Sequence, residues 1–178
     1  MDAFESAFQK TNGLEGGYSS NPNDAGGETM HGITAKLARA HGYTGPMKDM
    51  PLSEAYRISK IEFWDSLNLD KVVLVSYEVA LEMYDTRFNT GQCYLQRALN
   101  KFNRMGRLYP DIKEDGDIGG QTIAALEAFM LTRGKTAEAV LLKALNSLQG
   151  AYYFSITDRR EVNEDFIFGW FDKRVEIV

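Results

Sequence analysis

Glu15, Asp24 and Thr29 are the residues whose types and spacing could do chemistry together. They stand in EGGYSSNPNDAGGETMHGIT, residues 15–34, which holds five of the chain's 16 glycines: Gly16, Gly17, Gly26, Gly27 and Gly32. A carboxylic acid can protonate the oxygen that leaves a sugar. A second carboxylate and a hydroxyl can hold the attacking water, or steady the positive charge that develops on the ring. Such a set on a glycine-rich hairpin is one that glycosidic bond hydrolysis can use. Each residue also has a plainer reading. Asp24 suits an Asx turn in Asn-Asp-Ala-Gly-Gly, and Thr29 can simply fill a strand position. Glu28 is a further carboxylate, which could replace Asp24 or brace the loop.

The elements that must position these groups follow from spacing and capping. Asp2 and Glu5 form a capping-box pattern, and Phe4, Ala7, Phe8 and Thr11 recur at helical intervals. Asn12-Gly13 ends that helix, so Glu15 falls just beyond a helix C-terminus. The partial negative charge there raises the pKa of a carboxyl, the direction a general acid needs. Turn residues over 16–33 predict a loop or hairpin. Thr34 caps a short helix to His41. Pro51 and Ser53 begin another, with Tyr56, Ile58, Ile61, Trp64 and Leu67 toward the core. Ser76 starts the clearest amphipathic helix, through Val79, Ala80, Met83, Tyr84 and Phe88, ending at Asn89-Thr90-Gly91. Helices are also predicted over 92–105, 121–131 and 136–158, with a loop over 106–120. The expected fold is mainly α, with one small β-hairpin near the start. A change of motif near residue 90 divides the chain into parts 1–90 and 91–178.

Composition narrows the function. The chain has 178 residues and a net charge of −5. Residues 1–90 carry 13 Asp/Glu against 8 Lys/Arg, whereas residues 91–178 carry 12 of each. No basic cluster exceeds a pair, which argues against nucleic-acid binding. The single cysteine, Cys93, excludes an intramolecular disulfide and reads as a buried helical thiol. Two histidines, His31 and His41, are too few for a metal centre. The stretch from Asp111 to Thr122 places aspartates like a calcium loop, but Lys113 and Thr122 stand where ligands belong, so a structured turn is expected. No signal peptide or membrane span is legible, so synthesis in the cytoplasm without stable membrane insertion is expected.

The motifs resemble glycoside hydrolase family 108, the N-acetylmuramidases of phage and prophage endolysins. Glu15-Gly16-Gly17-Tyr18, then Asn21 to Thr29, then Gly32-Ile33-Thr34 match its ordered first-half motif. Phe63-Trp64-Asp65 is similar to its Tyr-Trp-Asp. Tyr84-Asp85 and Asn89-Thr90-Gly91 are similar to its Asp and Asn-x-Gly helix end. Leu95 to Leu99, Asp115 to Gly119 and Thr122 to Leu126 resemble the small peptidoglycan-binding domain that accompanies it. Met30-His31 departs from the family's usual Asn-Tyr, and Gly120 replaces a usual proline.

The resemblance implies a lysozyme-like helical fold, a muramidase lobe over 1–90 and a helical peptidoglycan-binding lobe over 91–178. It implies Glu15 as general acid, Asp24 and Thr29 as holders of the water, and Glu28, His31, Tyr84, Asp85 and Asn89 toward the substrate. Similar spacing in phage-type lysozymes points to inversion, although spacing alone leaves inverting and retaining hydrolysis both open. The partner implied is peptidoglycan, with no cofactor or metal. A monomer is expected to act on the cell wall, in the periplasm or outside, after export by a holin or similar pore. Two alternatives stay open: a lytic transglycosylase, and a non-catalytic wall-binding or secretion-assisting protein.

Overall fold

The computed structural model describes residues 2–12, 17–20 and 27–175. Its contacts divide it into two compact units, Met1–Ser66 and Leu67–Val178.

In the first unit, α1 (Ala3–Asn12) starts where the Asp2 carboxylate accepts the Glu5 amide at 2.7 Å. Phe4, Ala7, Phe8 and Thr11 are buried, as their spacing predicts. Phe4 lies 4.7 Å from the Tyr56 ring and 5.5 Å from the Trp64 ring, between centroids. Two short strands, β1 (Thr29–Met30) and β2 (Ile33–Thr34), pair antiparallel, Thr29 with Thr34 and Met30 with Ile33. His31 (φ 51°) and Gly32 (φ 75°) form the two-residue loop between them. Positive φ at both positions is the type I′ geometry that matches strand twist. The Thr34 hydroxyl then accepts the Leu37 amide and caps α2 (Ala35–Ala40).

Next, α3 (Leu52–Ser59) follows Pro51 and runs into a π-turn over Lys60–Trp64 and a 3-10 turn over Asp65–Leu67. The Asp65 amide donates to the Lys60 carbonyl, five residues back. That wider turn corrects one expectation. Ile58, Trp64 and Leu67 are buried, but Ile61 is 43% exposed. A π-turn inserts an extra residue into the helical repeat, so a face extrapolated at 3.6 residues per turn loses phase there.

The second unit opens with α4 (Leu69–Val73), a helix not anticipated from the sequence. It packs on α5 (Tyr77–Thr90), which lies against α8 (Ala137–Arg159). Ser76 caps α5 by accepting the Val79 amide and donates to Glu138 of α8 at 2.7 Å. Gly91, at φ 70°, ends it, its N–H donating to the Arg87 carbonyl. The core here includes Val72, Val79, Ala80, Met83, Leu95, Leu99, Phe129, Leu141 and Leu145. On α8 also packs α9 (Glu164–Arg174), with Tyr153 and Trp170 ring centroids 5.1 Å apart.

Between these lie α6 (Leu95–Phe102) and α7 (Gly120–Arg133). The former is shorter than the predicted 92–105. Gly91 turns the chain before it, and Arg104, Met105 and Gly106 all take positive φ after it. The Asn103 side chain fixes that reversal, accepting the Gly106 amide and donating to Asp111. Cys93 consequently sits in the link between α5 and α6 rather than in a helix. It is half-buried, and desolvation pushes its thiol pKa up.

One edge of α6 laces the 103–119 loop. Buried Gln96 accepts the Gly116 amide at 2.8 Å and donates toward the Asp115 carboxylate, the Asp117 carbonyl and the Thr122 hydroxyl. Asn100 exchanges two bonds with Ile112. The Asp111 and Asp115 carboxylates and the Asp117 carbonyl thus accept bonds within the turn itself.

This network has a pH signature. The Gln96 amide, and then the Asp117 amide, hold the Asp115 carboxyl below its ordinary 3.8. A folded-state pKa lower than the unfolded one contributes stability above the ordinary value, which is lost as pH falls through the depressed one. The thermal midpoint of wild type is therefore expected to exceed that of Asp115→Asn at neutral pH. The gap should close below pH 3.8. A gap unchanged into strong acid would show that the charge of Asp115 contributes nothing.

Candidate functional site

Glu15 and Asp24 lie outside the described residues. The described part of the predicted site falls in two places, one in each unit.

In the first unit, Thr29 is the centre of the hairpin. Its amide and carbonyl both bond Ser19 at 2.9 Å, and on its other side it pairs with Thr34. Its hydroxyl donates to the Gly27 carbonyl at 3.2 Å. The Glu28 carboxylate accepts the Tyr18 hydroxyl at 2.7 Å and so bridges the hairpin. That bond, more than partial burial, pushes the Tyr18 pKa up. Of the readings left open for Glu28, a brace is present here, made with a tyrosine hydroxyl. His31 occupies the turn, and its carbonyl accepts the buried Asn12 side chain at 3.1 Å, tying the end of α1 to the hairpin.

In the second unit, Tyr84, Asp85 and Asn89 all lie on α5. Tyr84 is wholly buried and stacks on Phe88, with centroids 6.0 Å apart. Asp85 and Asn89 are half-buried and four residues apart, so they share one side of the helix. The Asn89 amide nitrogen is buried without a hydrogen-bond partner among the described residues. The Asp85 carboxylate accepts the Gln149 side chain of α8 at 3.3 Å, and that same nitrogen donates to the Tyr153 hydroxyl at 3.1 Å. Burial pushes the Tyr153 pKa up, with Arg174 opposing.

Gln149 was not singled out from the sequence. Its signal is there: a wholly buried amide in the stripe Leu141, Leu145, Gln149, Tyr153, where an apolar residue is expected. Elsewhere in this unit, a cavity of about 210 Å³ opens at the start of α7, lined by Gln96, Lys113, Asp115, Asp117 and Gln121 among others. Among the described residues, no cluster of His, Cys, Asp and Glu could hold a metal ion, and no helix is long and apolar enough to cross a membrane.

Comparison with known proteins defines the class. Residues 8–91 match the family described as glycosyl hydrolase 108, and residues 90–175 match one described as a predicted peptidoglycan domain. A sugar-cleaving part followed by a peptidoglycan part makes this a peptidoglycan-hydrolysing glycosidase. The glycosyl hydrolase 108 match comes first and the peptidoglycan-domain match second, in the order the motifs implied. A solved structure of SagA from Brucella abortus is similar in fold, with a TM-score of 0.56 over 91% of this chain and 92% of that one. At 22% identity the likeness is one of fold. It agrees with the expected mainly α, lysozyme-like architecture and its small N-terminal hairpin. No curated protein matches the chain.

Proposed function

We propose that this protein is an endolysin-type N-acetylmuramidase that hydrolyses the β-1,4 bond between N-acetylmuramic acid and N-acetylglucosamine. Glu15 is the general acid, and Asp24 and Thr29 hold the attacking water. The observation that carries this reading is the hydrolase-family match over residues 8–91, which takes in all three residues on one ordered motif. Asp24 is favoured over Glu28 as the partner of Thr29, because Glu28 is engaged by Tyr18. Asp85 and Asn89 contact the glycan, His31 borders the hairpin's sugar contacts, and Tyr84 packs behind them. The second half holds the wall polymer. The protein works as a monomer on the wall side of the inner membrane, which it reaches through a holin-type pore.

Digestion of purified peptidoglycan, with products read by mass spectrometry, tests the reaction type. Hydrated muramic reducing ends are the expected product. Anhydro ends would make the protein a transglycosylase, and binding without cleavage would leave a wall-binding module. The anomer first released settles the stereochemistry. Inversion accompanies carboxyls roughly 6.5–9.5 Å apart, and retention roughly 5–5.5 Å.

A further inference from the structure

Among the described residues, both hydrogen bonds of the Gln149 side chain come from its one nitrogen, and this arrangement suits a clamp on Asp85. An ionised carboxylate only accepts hydrogen bonds, so the amide must face it with its NH₂. The second N–H goes to the Tyr153 hydroxyl, while the Asp85 carboxylate selects the NH₂ end of the amide. The amide oxygen is left buried without a partner among the described residues. Buried polar atoms are normally satisfied, so an orphaned carbonyl on a wholly buried residue marks an orientation fixed by its other end. One turn along α5 from Asp85, the Asn89 amide nitrogen is also buried without a partner among the described residues. The 85/89 side of α5 thus offers a steered acceptor at half-buried Asp85, suited to a hydroxyl or acetamido N–H of an amino sugar, with the unpartnered Asn89 nitrogen buried one turn away.

We propose that Gln149 is a positioning residue for substrate binding: from the C-terminal half it aims the Asp85 carboxylate at the glycan. The inference rests on the muramidase reading and on Asp85 contacting substrate. It gives the half matched to a peptidoglycan domain a part in the hydrolase half's specificity, through a bond between residues 64 positions apart.

The test is a double-mutant cycle on soluble peptidoglycan glycan fragments, with full-length protein. Gln149→Met keeps length and removes both hydrogen bonds. It is expected to raise KM about tenfold, the scale of one lost charge-assisted bond, with kcat within about twofold. In an Asp85→Ala background the same substitution should change KM by less than about twofold, because nothing remains to aim. Gln149→Glu, nearly isosteric and still able to bond Tyr153, should repeat the KM effect, so a poorly folding Met variant leaves the test intact. Thermal midpoints are recorded alongside. Equal KM losses in both backgrounds would overturn the proposal while leaving the muramidase reading standing. Absence of turnover by wild type would overturn both.

Discussion

Glu15→Gln is expected to cut peptidoglycan turnover by a factor on the order of 10²–10⁴ while leaving the thermal midpoint at the wild-type value. Glutamine keeps the shape and hydrogen-bonding reach of glutamate and removes only the transferable proton. An electrostatic expectation from the sequence points the same way: Glu15 follows the end of the first helix by three residues, and a helix C-terminus disfavours a nearby negative charge. A carboxyl kept protonated near neutral pH is what leaving-group protonation requires. Asp24→Asn is the companion variant. Hydrolysis needs its carboxylate, whereas a single-acid transglycosylase does not, so a near-normal rate would move the reaction class. If Glu15→Gln still releases fragments from purified wall at the wild-type rate, the hairpin is not the active site.

Trp64→Ala carries the largest stability effect, a loss of about 3–5 kcal/mol in chemical denaturation, as for other large aromatic truncations in a core. Trp64 is wholly buried and packs on Phe4. The Lys60 ammonium lies 5.8 Å from its ring centroid and 5.4 Å from that of Phe4, adding a cation–π component. Removing the indole therefore opens a cavity where α1 meets the π-turn. Ile61→Ala is the matched control, with an expected cost of about 1 kcal/mol or less, because that side chain is largely exposed. The pair reads helical phase directly. An Ile61 truncation as costly as that of Trp64 would mean an unbroken α-helical repeat and no π-turn.

The same pair marks how far the sequence could be read. Elements fixed by local chemistry were legible. Asp2 caps α1, Thr34 caps α2 and Ser76 caps α5, while Gly91 stops α5 in a left-handed conformation. Each signal lies within four residues of what it specifies. The π-turn was not legible, because nothing in Lys60–Trp64 announces a change of repeat. Nor was the C-terminal end of α6, which is set by an Asn103 side chain reaching Asp111. Gln96 and Gln149 escaped notice for one further reason. A polar residue on a buried stripe looks like a break in the pattern until its partners are known, and these lie 19 and 64 positions away. Of the site, motif order identified the hairpin. The bond between Glu28 and Tyr18 became visible only with the structure.

The families meet at residues 90 and 91, yet the compact units part at 66 and 67. Helices α4 and α5 are therefore inherited with the hydrolase and folded with the other half. Gene shuffling at the family boundary would deliver an α5 whose buried face meets an unfamiliar α8, with Ser76 facing no Glu138 and Asp85 no Gln149. The two halves must then travel through evolution as a matched pair, and chimaeras between distant relatives should survive when joined near residue 66 more often than near residue 90.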